Sequence, residues 1–109
     1  MAKYRWYAMC EDKNYEEDSK KAFDTEKECY DDMRNAAFEK AKWNTQYDED
    51  FTDVDFPEYE VTIGYRFSFG RKRILHSSYS GRYAFVMYEE GKKPTEEEMM
   101  KYFDGIELM

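Results

Sequence analysis

At 109 residues the chain has the length of one domain, long enough to bury a core without disulfides or metal. Charged residues make up 39% and aromatic residues 19%, and that aromatic share excludes the disordered class, whose chains lack the apolar area to fold. A net charge of −8 argues against a partner that is simply polyanionic.

The charge is unevenly spread. Residues 11–60 hold 18 acidic against 7 basic side chains, whereas residues 61–88 hold Arg66, Arg71, Lys72, Arg73 and Arg82 and no acid. No stretch approaches the roughly 20 apolar residues that span a bilayer, and the opening Met1-Ala2-Lys3-Tyr4-Arg5-Trp6 lacks a signal-peptide apolar region, so a cytoplasmic protein without a membrane partner is expected.

In chain order, Lys3 to Glu11 reads as a strand in which Tyr4, Trp6, Ala8 and Cys10 alternate with Arg5, Tyr7 and Met9. Asp12 to Lys21 reads as a polar, solvated loop. Thr25 then caps a helix, with Glu28 three residues on completing a capping box, and Cys29, Met33, Ala37 and Ala41 form its apolar stripe down to about Asn44. Phe38 falls about 180° from Cys29 at 100° per residue and is expected to be an exposed aromatic. Cys10 and Cys29 are expected to be small buried hydrophobes rather than a disulfide or redox pair.

Residues 44–57 form an acidic loop around Asp48-Glu49-Asp50-Phe51-Thr52-Asp53-Val54-Asp55-Phe56. Glu58 to Phe69 alternates without interruption: Tyr59, Val61, Ile63, Tyr65, Phe67 and Phe69 are set to face the core and the helical stripe. Gly70-Arg71-Lys72 turns into a strand from Arg73 to Tyr79, and Ser80-Gly81 turns into another from Arg82 to Glu89. Both alternating sets of that last strand are apolar, which predicts a central position or a second cover. Thr95 caps a short helix with Glu98 as its box partner, and Gly105 is placed to terminate it with Ile106 folding back toward Met100.

These elements predict a single α+β domain over residues 1–109. An antiparallel sheet of about four strands, ordered β-α-β-β-β-α along the chain, carries the long helix on one face, with the short C-terminal helix at an edge or on the other face.

Catalytic and metal patterns are sparse. The one histidine, His76, lies in a strand beside Ser77 and Ser78, with nothing in the local order to assemble a Ser/His/Asp site, and reads as a surface or sheet-edge residue. Two cysteines 19 residues apart offer no zinc spacing. The run from Asp48 has acids at the first and third positions of a calcium loop, but Asp53 stands where glycine is needed and Tyr59 where glutamate belongs. Paired carboxylates are expected by chance among 25 acids, and the glycines form no phosphate-binding loop. No enzyme activity, metal or cofactor is expected.

Gly81-Arg82-Tyr83-Ala84-Phe85-Val86-Met87-Tyr88 resembles, from Tyr83 to Tyr88, the RNP1 strand of RNA-recognition motifs, whose exposed rings stack on bases. Its first two positions are reversed relative to that pattern, and the strand at Tyr4 to Met9 lacks the partner motif. The resemblance implies a nucleic-acid face of Arg66, Arg71, Lys72, Arg73, Arg82, Tyr83 and Phe85.

The leading expectation is a non-enzymatic binding protein whose partner presents a basic surface. Its character is that of small phage or mobile-element inhibitors that occupy a basic groove on a host protein such as a nuclease. The interface residues expected are Asp31, Asp32 and Phe38 on the helix and Asp48, Glu49, Asp50, Phe51, Asp53, Asp55 and Phe56 in the loop, with carboxylates imitating a phosphate row and rings supplying desolvated anchors. Single-stranded RNA binding and a structural or assembly subunit are the alternatives.

Overall fold

The computed structural model describes residues 2–44, 61–62, 65–78 and 81–103, with the backbone alone at 42–44, 61–62, 65–66, 68 and 78. The expected α+β fold is present: an antiparallel sheet, a long helix packed on one face and a short C-terminal helix on the other. The strands are β1 (Tyr4–Cys10), β2 (Glu16–Asp18), β3 (Val61–Thr62), β4 (Tyr65–Phe69), β5 (Arg73–Ser78) and β6 (Gly81–Glu89), and the helices are α1 (Glu26–Asn44) and α2 (Glu96–Lys101). The spatial order is β2-β1-β6-β5-β4-β3.

β6 is central, paired to β1 on one side and β5 on the other, and it is covered on both faces, so both explanations for its doubly apolar sequence hold together. Tyr83, Phe85 and Met87 face the α1 side, and Ala84 and Val86 face the α2 side.

α1 begins as its sequence predicts. Thr25 Oγ1 accepts the Glu28 amide at 3.1 Å, relieving one of the amides that the first helical turn leaves without an internal acceptor. The stripe of Cys29, Met33, Ala37 and Ala41 is fully buried, and its small side chains bring the helix axis close to the sheet. Beneath it the strand register lines side chains into rungs. Ala8, Phe85, Ile74 and Phe69 form one; Cys10, Tyr83, His76 and Phe67 form the next. The second rung is a ring stack, with His76 4.9 Å from Phe67 and 5.2 Å from Tyr83, nearly parallel to both.

On the opposite face Tyr7, Met9, Leu75, Ala84 and Val86 pack under Met99 and Phe103. α2 carries the full capping box, with Thr95 accepting the Glu98 amide at 3.1 Å. The proposed terminator at Gly105 and Ile106 lies outside the described residues.

Four local expectations are corrected. Asp12 to Lys21 is not all loop: Glu16–Asp18 pairs antiparallel with β1 as an edge strand, entered through a tight turn in which Lys13 takes a left-handed φ of 63°. An exposed edge strand needs no apolar alternation, so its sequence carries no strand signal. The run read as one strand from Glu58 contains two, because Val61 pairs with Arg66 and Thr62 with Tyr65. Opposite residues of an antiparallel pair share a face, so the pairing of Val61 with Arg66 reverses the parity, and Val61 does not continue the helix-side series of Phe67 and Phe69 that alternation read along the chain predicts. Ile63 itself lies outside the described residues.

His76 is not at the surface or an edge. It is fully buried, since β5 is an interior strand and His76 shares the helix-side parity of Ile74. Phe38 is half-buried rather than free, its ring edge-on to Phe67 at 5.2 Å, because β4 reaches the flank of α1. Cys10 and Cys29 are buried and unbridged, as expected. Burial pushes both thiols up, Cys29 to about 12, which keeps them protonated.

Candidate functional site: a cleft between the helix and the sheet edge

α1 packs mainly over β1, β6 and β5, and β2 lies at the margin of that contact, with Glu17 half-buried. A cleft of about 420 Å³ results. Its floor is the Trp6 and Phe23 rings with Ala36; Asp32, Asn35 and Glu39 of α1 form one wall, and Glu17, Lys20 and Lys21 line the rest. Local sequence explains the floor. Trp6 sits on the helix-side parity of β1, and Phe23 is drawn in by a two-way backbone bridge to Tyr4, with N···O distances of 2.7 and 2.8 Å.

The indole Nε1 of Trp6 donates to Asp32 at 2.7 Å and locks the α1 wall to the floor. Ser19, buried behind it, accepts the Trp6 amide at 3.2 Å and donates to the Lys21 carbonyl at 3.1 Å, fixing the loop wall. Lys21 holds its ammonium 5.1 Å above the Phe23 ring. The Tyr15 hydroxyl donates to Glu17, and burial followed by that carboxylate raises the phenol.

A second cluster lies deeper, beside the ring stack. Lys40 places its ammonium 4.0 Å above the Tyr15 ring and 5.4 Å above Tyr83, and burial lowers its pKa. Burial, helped by the Lys40 charge, lowers His76 to about 3, so the imidazole is neutral at physiological pH. Neutral and walled by rings, it acts as a flat packing element.

Of the acidic interface expected from sequence, the structure describes three residues. Asp31 is exposed and pairs with Lys27 at 2.9 Å, Asp32 is engaged by Trp6, and Phe38 packs against Phe67 and Phe69 with the Arg34 guanidinium 5.2 Å above it. Asp48, Glu49, Asp50, Phe51, Asp53, Asp55 and Phe56 lie outside the described residues. Sequence reasoning counts Glu16, Glu17 and Asp18 in the acidic charge of residues 11–60 but reads them as loop and leaves them out of the interface set, and it does not single out Glu39, which lines the cleft.

For the alternative face, Tyr83 and Phe85 are 3% and 0% exposed under α1, so neither ring can stack on a base. Arg82 bonds Glu11 through two nitrogens and lies 5.6 Å from the Phe103 ring, while Arg73 lies over Tyr102 at 5.5 Å; both hold the C-terminal helix region. Arg71 is exposed in the turn, and Lys72 approaches Glu26 at 3.8 Å. The Arg66 side chain is outside the described set. Parity with Ile74 and Phe85 would have marked His76 and Tyr83 as interior.

Among the described residues no three His, Cys, Asp or Glu side chains gather to hold a metal ion, and no helix is long and apolar enough to cross a membrane. No protein-family model, curated protein or solved structure matches this chain.

Proposed function

We propose that this chain is a non-catalytic binding protein whose partner presents a basic surface. The observation that carries this reading is the cleft: an apolar aromatic floor between Glu17 on the strand side and Asp32 and Glu39 on the helix side, with Lys20 and Lys21 at one end. The exposed carboxylates of Glu28 and Asp31 continue along α1, and Glu16 and Asp18 along the sheet edge, within a chain of net charge −8. Such a field accelerates encounter with a cationic partner, and a desolvated aromatic floor supplies the short-range contact that long-range charge does not. Inhibition of a host protein with a basic groove, in the manner of small phage proteins, is one form this binding would take.

The test is association kinetics with a partner first captured from the native host. Replacing Glu28, Asp31 and Glu39 by Gln, Asn and Gln should slow association at least tenfold at low ionic strength and flatten its salt dependence. An association rate that ignores the three substitutions across the salt range overturns the reading.

A further inference from the structure

The outer edge of β2 borders the cleft, and its hydrogen-bonding groups face away from the sheet. The ladder to β1 runs through alternate residues: the Cys10 amide donates to the Tyr15 carbonyl at 3.0 Å, the Ser19 amide donates to the Trp6 carbonyl at 2.9 Å, and Glu17 stands opposite Ala8 between them. In an antiparallel ladder the intervening residues, Glu16 and Asp18, direct their amides and carbonyls outward. Among the described residues no strand lies on that side. The end of the edge is tied to the fold, where Asp18 pairs with Lys93 at 2.9 Å and Ser19 is buried.

Side chains settle what such an edge accepts. Three consecutive carboxylates would face three more if a second copy paired there, and each copy carries a net charge of −8, so self-pairing is opposed at short and long range. A strand bearing Lys or Arg meets the opposite situation. Added antiparallel to β2, it would place every second side chain on the α1 face beside Glu17 and Glu39, and the others beside Glu16 and Asp18. From this juxtaposition of an open edge, three consecutive carboxylates on that edge and an adjoining cleft with an apolar floor, we propose that β2 takes up an extended, basic segment of the partner as an additional strand. The inference rests on the basic-partner reading and narrows it to one mode of binding.

A nine-residue peptide alternating lysine and valine is the probe, with hydrogen exchange at individual amides as the readout. Saturating peptide should slow exchange of the Glu16 and Asp18 amides at least tenfold. Methylating the peptide nitrogens that face β2 should weaken binding about fivefold to tenfold, the value of a hydrogen bond or so. Glu16→Pro removes one outward amide without touching the ladder to β1, a position where an edge strand accepts proline, and should weaken binding to a similar degree while the far-ultraviolet spectrum is unchanged.

Binding with no protection at Glu16 and Asp18, or with no response to Glu16→Pro, overturns strand addition and leaves the basic-partner reading standing. Failure of both this peptide and a lysine–glycine peptide of equal charge to bind overturns both. Protection of the same amides by concentration-dependent self-association, without peptide, shows a second copy as the occupant and overturns the proposal.

Discussion

The two faces of the sheet combine the same kinds of contact but differ in how far a helix covers them. On the α1 side a three-turn buried stripe closes over Trp6, Phe85, Tyr83, His76 and Phe67, and cations at its margin lie over rings, Lys40 over Tyr15 and Tyr83, Arg34 over Phe38 and Lys21 over Phe23. On the α2 side a six-residue helix contributes Met99, with Phe103 just beyond it, and the rim is electrostatic: Arg73 over Tyr102, Arg82 over Phe103, Lys93 over Tyr7 at 4.2 Å, and Lys13 paired to Glu96. A six-residue helix is too short to hold itself together, so α2 depends on its cap and on these contacts. The contrast teaches that one face sets global stability, while the other is a cover able to open locally without unfolding the sheet.

The largest effect that could break this view is Phe85→Ala. With Phe85 fully buried at the sheet centre, the substitution should cost about 3–5 kcal/mol in denaturant unfolding, and it should act on the whole transition. A loss below about 1 kcal/mol would mean the α1 face is not the global core.

Next is pH. His76 is held to about 3 in the fold against an ordinary value near 6.5, so between those values the unfolded chain binds a proton that the folded chain refuses. The stability from keeping it neutral is complete above about pH 6.5 and is lost as pH falls toward 3. At pH 5 the loss should be about 2 kcal/mol relative to pH 7.5, at 1.36 kcal/mol per unit. The lowered carboxyls of Asp12 and Asp24 act only in more acidic solution. His76→Phe should remove the slope between pH 6.5 and 5, and a slope that persists in the variant would assign it elsewhere.

The smallest effect sharpens the other side of the comparison. Thr95→Ala removes the cap of α2 and should cost about 1 kcal/mol. That cost should appear as faster amide exchange in Glu98 to Lys101, with the exchange of the β6 amides nearly unchanged. Equal acceleration in both would show that the two faces unfold as one.

Local signals were legible wherever an element carries its own instruction. The Thr25 and Thr95 caps with their glutamate partners, the Cys29 to Ala41 stripe and the alternation of Tyr4 to Cys10 each act within a few residues, so they read directly from the chain. The candidate site was less legible. Glu16–Asp18 becomes a strand because β1 offers it a free edge, and Trp6 reaches Asp32 across 26 residues, neither of which has a periodic trace.

Short-range signals, propensity, capping and periodicity, therefore carry the class of fold and the inner face of α1. Strand order, set by long-range pairing, makes β5 and β6 interior, and so makes His76 and Tyr83 core and packs Phe38 against β4. The tertiary structure also decides where α1 stops covering the sheet, which leaves both the cleft and the open edge of β2. Those outcomes depend on strand order and on the width of the sheet beneath one helix, quantities fixed by contacts far apart in the chain.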